Sequence, residues 1–212
     1  MSIAGEKIAK SARKAKGAGH LRRGEILIAA ERIFVREGYH GATIRKIADE
    51  VGVSSTALYM HFRDKSEILV EICEGVFAHL IAQTDAVAAL PIDPVERVRR
   101  ILEAYMRFGL ENPNAYQLVF ASPPGALSES KLEAIDGLGK RCYDLFAEVV
   151  REIAAAGKLR DGDVDAAAQT FWAGAHGLVS LLITQRRFDW AGAPEALTVV
   201  MLDALFHGLL QP

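Results

Sequence analysis

Ser54, Ser55, Thr56, Tyr59 and His61 crowd one short stretch of the chain, opposite the apolar Val53, Leu58 and Phe62. Hydroxyls and an imidazole at this density suit hydrogen bonding to polar edges, because each group both donates and accepts. A helix carrying them presents what is needed to read base edges in the major groove of a DNA duplex. Catalytic patterns are missing from the sequence. There is no His-Glu-x-x-His, no Gly-x-Ser-x-Gly and no phosphate-binding loop, and Gly137-Leu138-Gly139-Lys140 lacks the upstream glycine and falls inside a helical pattern. The histidines are scattered and form no ligand cluster. The expectation is a protein that is not an enzyme and that uses neither metal nor cofactor.

The elements that hold these residues follow from apolar spacing, which recurs at three and four throughout the chain after residue 20. Ile26, Ala29, Ala30, Ile33 and Phe34 mark a first helix ending at Gly38. Thr43 caps a second, which Gly52 ends. A third, too short to stand alone, runs from Ser54 to His61. The two short helices meet across Gly52-Val53-Ser54, the spacing of a helix-turn-helix. Asp64-Lys65-Ser66-Glu67 has the form of a capping box and starts a fourth helix, which extends to Ala89. Asp93-Pro94 and Asn112-Pro113 open a fifth and a short sixth, the latter ending near Phe120. Ser122-Pro123-Pro124-Gly125 is a loop. A seventh helix from Leu127 to Ala156, an eighth from Asp163 to Arg187 and a ninth from Pro194 to Leu210 complete an all-α chain of nine helices.

The chain has 212 residues and a net charge of −2, which hides an asymmetry. Through Ile72 there are 13 Lys and Arg against 9 Asp and Glu; the remainder has 12 against 18. Only the front third is therefore suited to a polyanion. Lys7, Lys10, Arg13, Lys14, Lys16, Arg22 and Arg23 precede the first periodic segment with Glu6 alone among them. Residues 1–20 read as a flexible basic arm on DNA or as a solvated tail without function. Cys73 and Cys142 match neither a disulfide framework nor a zinc spacing, and no apolar h-region follows the N-terminus, which fits a reducing cytoplasm. The longest apolar run, Gly177 to Thr184, is too short for a membrane span, and none is expected.

Residues 41 to 69 carry Thr43, Ile47-Ala48, Gly52-Val53-Ser54, Leu58-Tyr59-x-His61-Phe62 and Lys65 in matched order and spacing. This segment resembles the DNA-binding signature of the tetracycline-repressor family, and the helix lengths around it resemble that family's nine-helix plan. The resemblance implies a helix-turn-helix head over residues 21–66 and a ligand-binding and dimerisation body over 67–212. It also implies roles. Thr43 and Lys65, at helix N-termini, would hold phosphates. Tyr59 and His61 would grip phosphates at the end of the reading helix. Arg45, Ser55 and Thr56 would meet the bases, and Ser54 belongs to the same DNA-binding set. Thr56 departs from the glycine common in the family, and a β-branched side chain there alters how deeply the helix docks. The function implied is that of a homodimeric repressor on an inverted-repeat operator, released by a small molecule. The alternatives are an activator and a helical binding protein with altered DNA reading.

In the body, Trp172 and His176 are four apart and share a helical face, with Ala173, Gly174, Ala175 and Gly177 around them. The segment resembles the Trp-x-x-x-His-Gly motif of one class of C-terminal domain in the same family. His176 is either a polar contact in an apolar ligand pocket or a buried histidine bonded to a helix carbonyl. Tyr105, Phe108, Tyr116 and Phe120 are likewise either core or a ligand box with two hydroxyl handles. The expected inducer is apolar or aromatic. The ninth helix is apolar nearly all round, from Leu197 through Val200, Met201, Leu202, Leu205 and Phe206 to Leu209. Such a helix must be covered on two sides. With the small-residue eighth helix and the family resemblance, this leads to the expectation of a homodimer interface through helices near 163–187 and 194–210; the alternative is a ninth helix central to the core of one subunit.

Overall fold

The computed structural model describes residues 19–120, 127–160 and 162–211. Nearly all of the basic arm and the loop at 122–125 lie outside them. Among the described residues there are nine helices: α1 (Gly19–Gly41), α2 (Ile44–Val51), α3 (Ser55–Tyr59), α4 (Lys65–Ala88), α5 (Pro94–Glu111), α6 (Pro113–Phe120), α7 (Glu129–Ala155), α8 (Val164–Thr184) and α9 (Pro194–Leu209). The only strand-like feature among them is an isolated bridge between Leu159 and Leu210.

The caps explain most boundaries. Thr43 Oγ1 accepts from the Lys46 amide at 3.3 Å and Ser54 Oγ from the Ala57 amide at 3.1 Å, satisfying first-turn donors of α2 and α3. Gly52 ends α2 in the left-handed conformation, φ 74° and ψ 37°, which costs glycine nothing. Gly38 breaks α1 as expected, with φ 73° and ψ 162°, but helix resumes to Gly41. α3 stops at Tyr59, two residues short of the expected His61. The expected capping box at α4 is offset: Asp64 Oδ1 accepts from the Glu67 amide at 2.9 Å, while Glu67 Oε2 accepts from Arg63 N at 2.7 Å, not from Asp64.

Two apolar cores result. One joins Ile26, Ile33, Phe34, Ile47, Leu58 and Phe62 of the first three helices and the turn after them to the inner face of α4, and reaches Phe108 and Ile135. The other joins α5, α6, α7, α8 and α9 around Met106, Tyr116, Val150, Phe171 and Leu202. α4 and α7 run parallel. Lys131 Nζ donates to Ser66 Oγ near their starts, Phe77 faces Gly139 midway, and Arg97 ties the Ala88 carbonyl to Glu152 near their ends. α8 is, by length and composition, apolar enough to cross a membrane, which corrects the reading drawn from Gly177–Thr184 alone. Here it packs against α5, α7 and α9, burying Phe171, Ala175, Val179 and Ile183.

Candidate nucleic-acid interface and ligand cavity

α2 and α3 place a compact set of side chains on one surface of the head. Arg45 is nearly free, 86% exposed and 3.9 Å from Asp49. Thr56 is exposed, as is Tyr59 at 56%, while Ser55 and His61 are half-buried. Thr43 and Ser54 have spent an oxygen on capping, which leaves each hydroxyl its proton to donate. Ala57 and Met60, the latter 82% exposed, share this surface. Composition hides them, because neither carries a hydrogen-bonding group.

Two cations are placed otherwise than the sequence reading expects. The Lys65 ammonium turns inward, donating to the carbonyls of Tyr39 at 2.6 Å and Ala42 at 3.0 Å and lying over the Tyr39 ring at 4.4 Å. It ties the end of α1 to the start of α4, so its charge is directed at carbonyls rather than at solvent. Arg23, grouped by charge with the basic arm, lies within α1 and forks onto Glu71 of α4. It also donates to the His61 carbonyl at 2.6 Å and stacks 4.1 Å from the centre of the Phe62 ring. Arg22 is likewise helical and pairs with Glu25 at 3.1 Å.

The body holds a partly open cavity of about 410 Å³ between α4, α5 and α7, with α6 and α8 contributing to its wall. That volume falls in the usual range for small-molecule sites, about 300–1,000 Å³. Tyr105, Phe120 and Trp172 line it. Phe108, Tyr116 and His176 do not. Phe108 faces the head-side core, against the His79 ring at 4.9 Å.

Tyr116 and His176 form a polar cluster behind Tyr105. His176 Nδ1 lies 2.7 Å from Tyr116 Oη and 3.0 Å from Tyr105 Oη, the two hydroxyls are 2.9 Å apart, and Ser180 Oγ is 3.3 Å from His176 Nε2. The partners of His176 are thus hydroxyls, not a helix carbonyl. Burial holds the His176 imidazole below its ordinary pKa, pushes the Tyr116 phenol up to about 12 and pushes Tyr105 further up, so the cluster is neutral at pH 7. The tyrosine hydroxyls expected to meet a ligand are directed at each other and at the imidazole.

Much of the cavity wall comes from residues that sequence reading passes over. α4 supplies Phe77, Leu80, Gln83 and Thr84; α7 supplies Gly139, Cys142 and Tyr143. In type and spacing these match ordinary core, and only the tertiary alignment of α4 with α7 sets them around a space. The Cys142 thiol is pushed up to about 11 by burial and the Cys73 thiol to about 12, so neither is a nucleophile near neutrality. Among the described residues no group of three or more His, Cys, Asp or Glu side chains can hold a metal ion.

Residues 26–72 match the family model of bacterial regulatory proteins, tetR family, and residues 98–205 match the tetracyclin repressor-like C-terminal domain, which alone spans half the chain. The chain belongs to the tetracycline-repressor family. The first matched segment holds α2 and α3, and the second holds most of α5 and α9 and all of α6, α7 and α8. Among tetracycline-repressor relatives, it is 35% identical over 99 residues to the transcriptional activator FasR of Mycolicibacterium smegmatis, covering 47% of this chain and 45% of that protein. It is 29% identical over 146 residues to the transcriptional repressor KstR2 of Mycobacterium tuberculosis, covering 68% and 72%. The chain thus spans less than half the length of FasR. In structure it resembles PfmR of Thermus thermophilus, with a TM-score of 0.75 and 27% identity over 90% of this chain and 98% of that one.

Proposed function

We propose that this regulator is a homodimeric repressor acting in the cytoplasm, with a head over residues 21–66 and a ligand-binding and dimerisation body over 67–212. The two reading surfaces of a dimer would enter successive major grooves about one helical turn apart, so the operator is an inverted repeat. Arg45, Ser55 and Thr56 read bases; Thr43, Tyr59 and His61 hold phosphates. The amide end of α4 at Lys65 adds to this phosphate contact, while the lysine side chain orders the head. The basic arm over residues 1–20 adds affinity that is poor in sequence information.

The observation that carries the reading is that one helix serves both sites. α4 starts against the head through Lys65 and Glu71, and twelve residues beyond Glu71 the same helix walls the cavity with Gln83. An apolar or aromatic small molecule that binds one setting of α4 more tightly than another biases the head, since a ligand shifts an equilibrium by its differential affinity. Interface formation uses the outward faces of α8 and α9, where Ala173, Leu181, Val199 and Val200 are exposed.

The test is selection of bound DNA from a randomised duplex pool at moderate salt. Enrichment of an inverted repeat is the expected result. Salt-sensitive retention without sequence preference would refute base reading by the head and leave a helical binding protein. The resemblance to FasR, named as an activator, favours activation as the second reading. Placing the selected site across a promoter and measuring transcription with and without the protein decides the sign.

A further inference from the structure

Gln83, Thr84 and Tyr143 give the cavity wall a polar end. Because α4 and α7 are parallel, Phe77 and Ile135 lie toward the head, while Gln83 and Thr84 of α4 and Tyr143 of α7 lie beyond the Phe77–Gly139 contact, toward the Ala88 end. Among the described residues four buried side-chain polar atoms lack a hydrogen-bond partner, and two of them, Gln83 Oε1 and Tyr143 Oη, belong to this wall. Tyr143 lies beside Gln169 without a hydrogen bond of normal geometry. A buried amide oxygen left unsatisfied is costly, and a bound group that meets it recovers that cost.

Charge is compensated around the same space. Lys140 and Asp136 stand exposed where the cavity opens, and Lys140 Nζ is 2.6 Å from Asp144. The remaining polar lining consists of Gln83, Thr84, Tyr105, Cys142, Tyr143 and the indole of Trp172, all uncharged near neutrality. A carboxylate or phosphate buried there would meet no unpaired cation, and an uncompensated buried charge is strongly disfavoured.

We infer that the ligand is a neutral molecule, an apolar body bearing a hydroxyl or carbonyl group that hydrogen-bonds to Gln83 at the end of the cavity away from the head. The inference rests on the cavity being the regulatory site. An amide serves either kind of group, since it presents an acceptor or, turned over, a donor. The apolar end of such a ligand lies against Phe77 and Phe120, so the part of the molecule nearest the head makes dispersion contacts only.

The experiment uses the full chain and two matched series: dodecanol, dodecane and dodecanoate, and para-hydroxybiphenyl, biphenyl and biphenyl-carboxylate. Binding is followed at pH 8 by the fluorescence of Trp172, with Trp172→Phe as the control for Trp190. In at least one series the hydroxyl compound is expected to bind most tightly, with the carboxylate weaker by on the order of a hundredfold. Gln83→Leu should weaken the hydroxyl compound by roughly five- to tenfold and leave the hydrocarbon unchanged. The unchanged hydrocarbon shows that the variant is folded, and Gln83→Met repeats the test with a side chain of similar shape. Absence of a hydroxyl preference in both series, tightest binding of the carboxylate in any series that binds, or equal losses in Gln83→Leu for the hydroxyl compound and the hydrocarbon of the series that binds would each overturn the inference while leaving a ligand cavity in place. No binding by any of the six would overturn the cavity reading along with it.

Discussion

Arg23 sits in a run of basic residues, yet its guanidinium ends against Glu71, the His61 carbonyl and the Phe62 ring. These contacts join the start of α1, the turn after the reading helix and α4. Replacing Arg23 by Gln should cost about 1–2 kcal/mol of unfolding free energy, because the pair is partly exposed and screened while the carbonyl loses a donor. The loss in DNA affinity should be larger than removal of one phosphate contact explains, with a salt slope unchanged from that of the wild type; a slope lower by about one would mean that Arg23 touches phosphate after all. His176 makes a second prediction. Its folded pKa lies below the ordinary 6.5 because burial disfavours the cation. The unfolded chain therefore binds more protons between the two values, and the stabilisation is complete above about 6.5 and lost as pH falls through the folded value. Denaturant unfolding should show a decline on acidification from pH 7.5 toward 5 that is shallower in His176→Gln. Identical slopes in the two proteins would remove the imidazole from that account.

Among the elements, α5 and α8 approach closely at Gly109. A Cβ there would stand 2.6 Å from Val179 Cγ1 and 2.9 Å from Tyr116 Cδ2. Neither neighbour is a flexible tip: one is a branched side chain and the other a ring fixed to His176. Gly109→Ala should therefore destabilise by about 1–3 kcal/mol, as overpacking does, and should blue-shift or quench Trp172 by displacing the wall. An alanine variant as stable as the wild type would show that the helices part without cost. How much of the molecule is legible in the sequence follows the same division between local and tertiary causes. Caps such as Thr43, Ser54, Asp64 and Asp93 act within a turn of their own helix, and the expected helix starts lie within a residue or two of those found. Tyr105, Phe120 and Trp172 are visible as candidates because aromatic side chains are large and few. Gln83 and Tyr143 are not, since nothing local says that α4 and α7 run parallel with a space between them. The placement of the Lys65 and Arg23 side chains is illegible for a related reason: charge declares what a side chain can bind, whereas only the fold brings the Tyr39 and His61 carbonyls within their reach.

At the scale of the molecule, α9 shows two kinds of surface. Leu202 and Phe206 are buried within the chain, whereas Val200 is 67% exposed and Val199 and Leu181 of α8 about half exposed. Gly174 belongs to the inner contact, since a Cβ there would press on Leu205 at 2.7 Å, but Gly177 has nothing within 4 Å of its Cβ position and is open to a second chain. A contiguous apolar and small-residue face of this kind suits self-association about a twofold axis, where the same patch meets itself. Two charges of one sign placed on it are doubled across that axis. Leu181→Arg with Val200→Arg should therefore give a monomer in sedimentation equilibrium at micromolar concentration, with helical content and intramolecular stability close to those of the wild type, because neither side chain is part of the inner core. Its affinity for the full inverted repeat should fall by several orders of magnitude, as the free energy of the second half-site is lost, and should approach the wild-type affinity for an isolated half-site. Ligand binding distinguishes this from general damage: the cavity is built from α4, α5 and α7 of one chain, so the double variant should still bind small molecules. A dimer that persists in the double variant would place the interface elsewhere and detach the spacing of the two half-sites from α8 and α9.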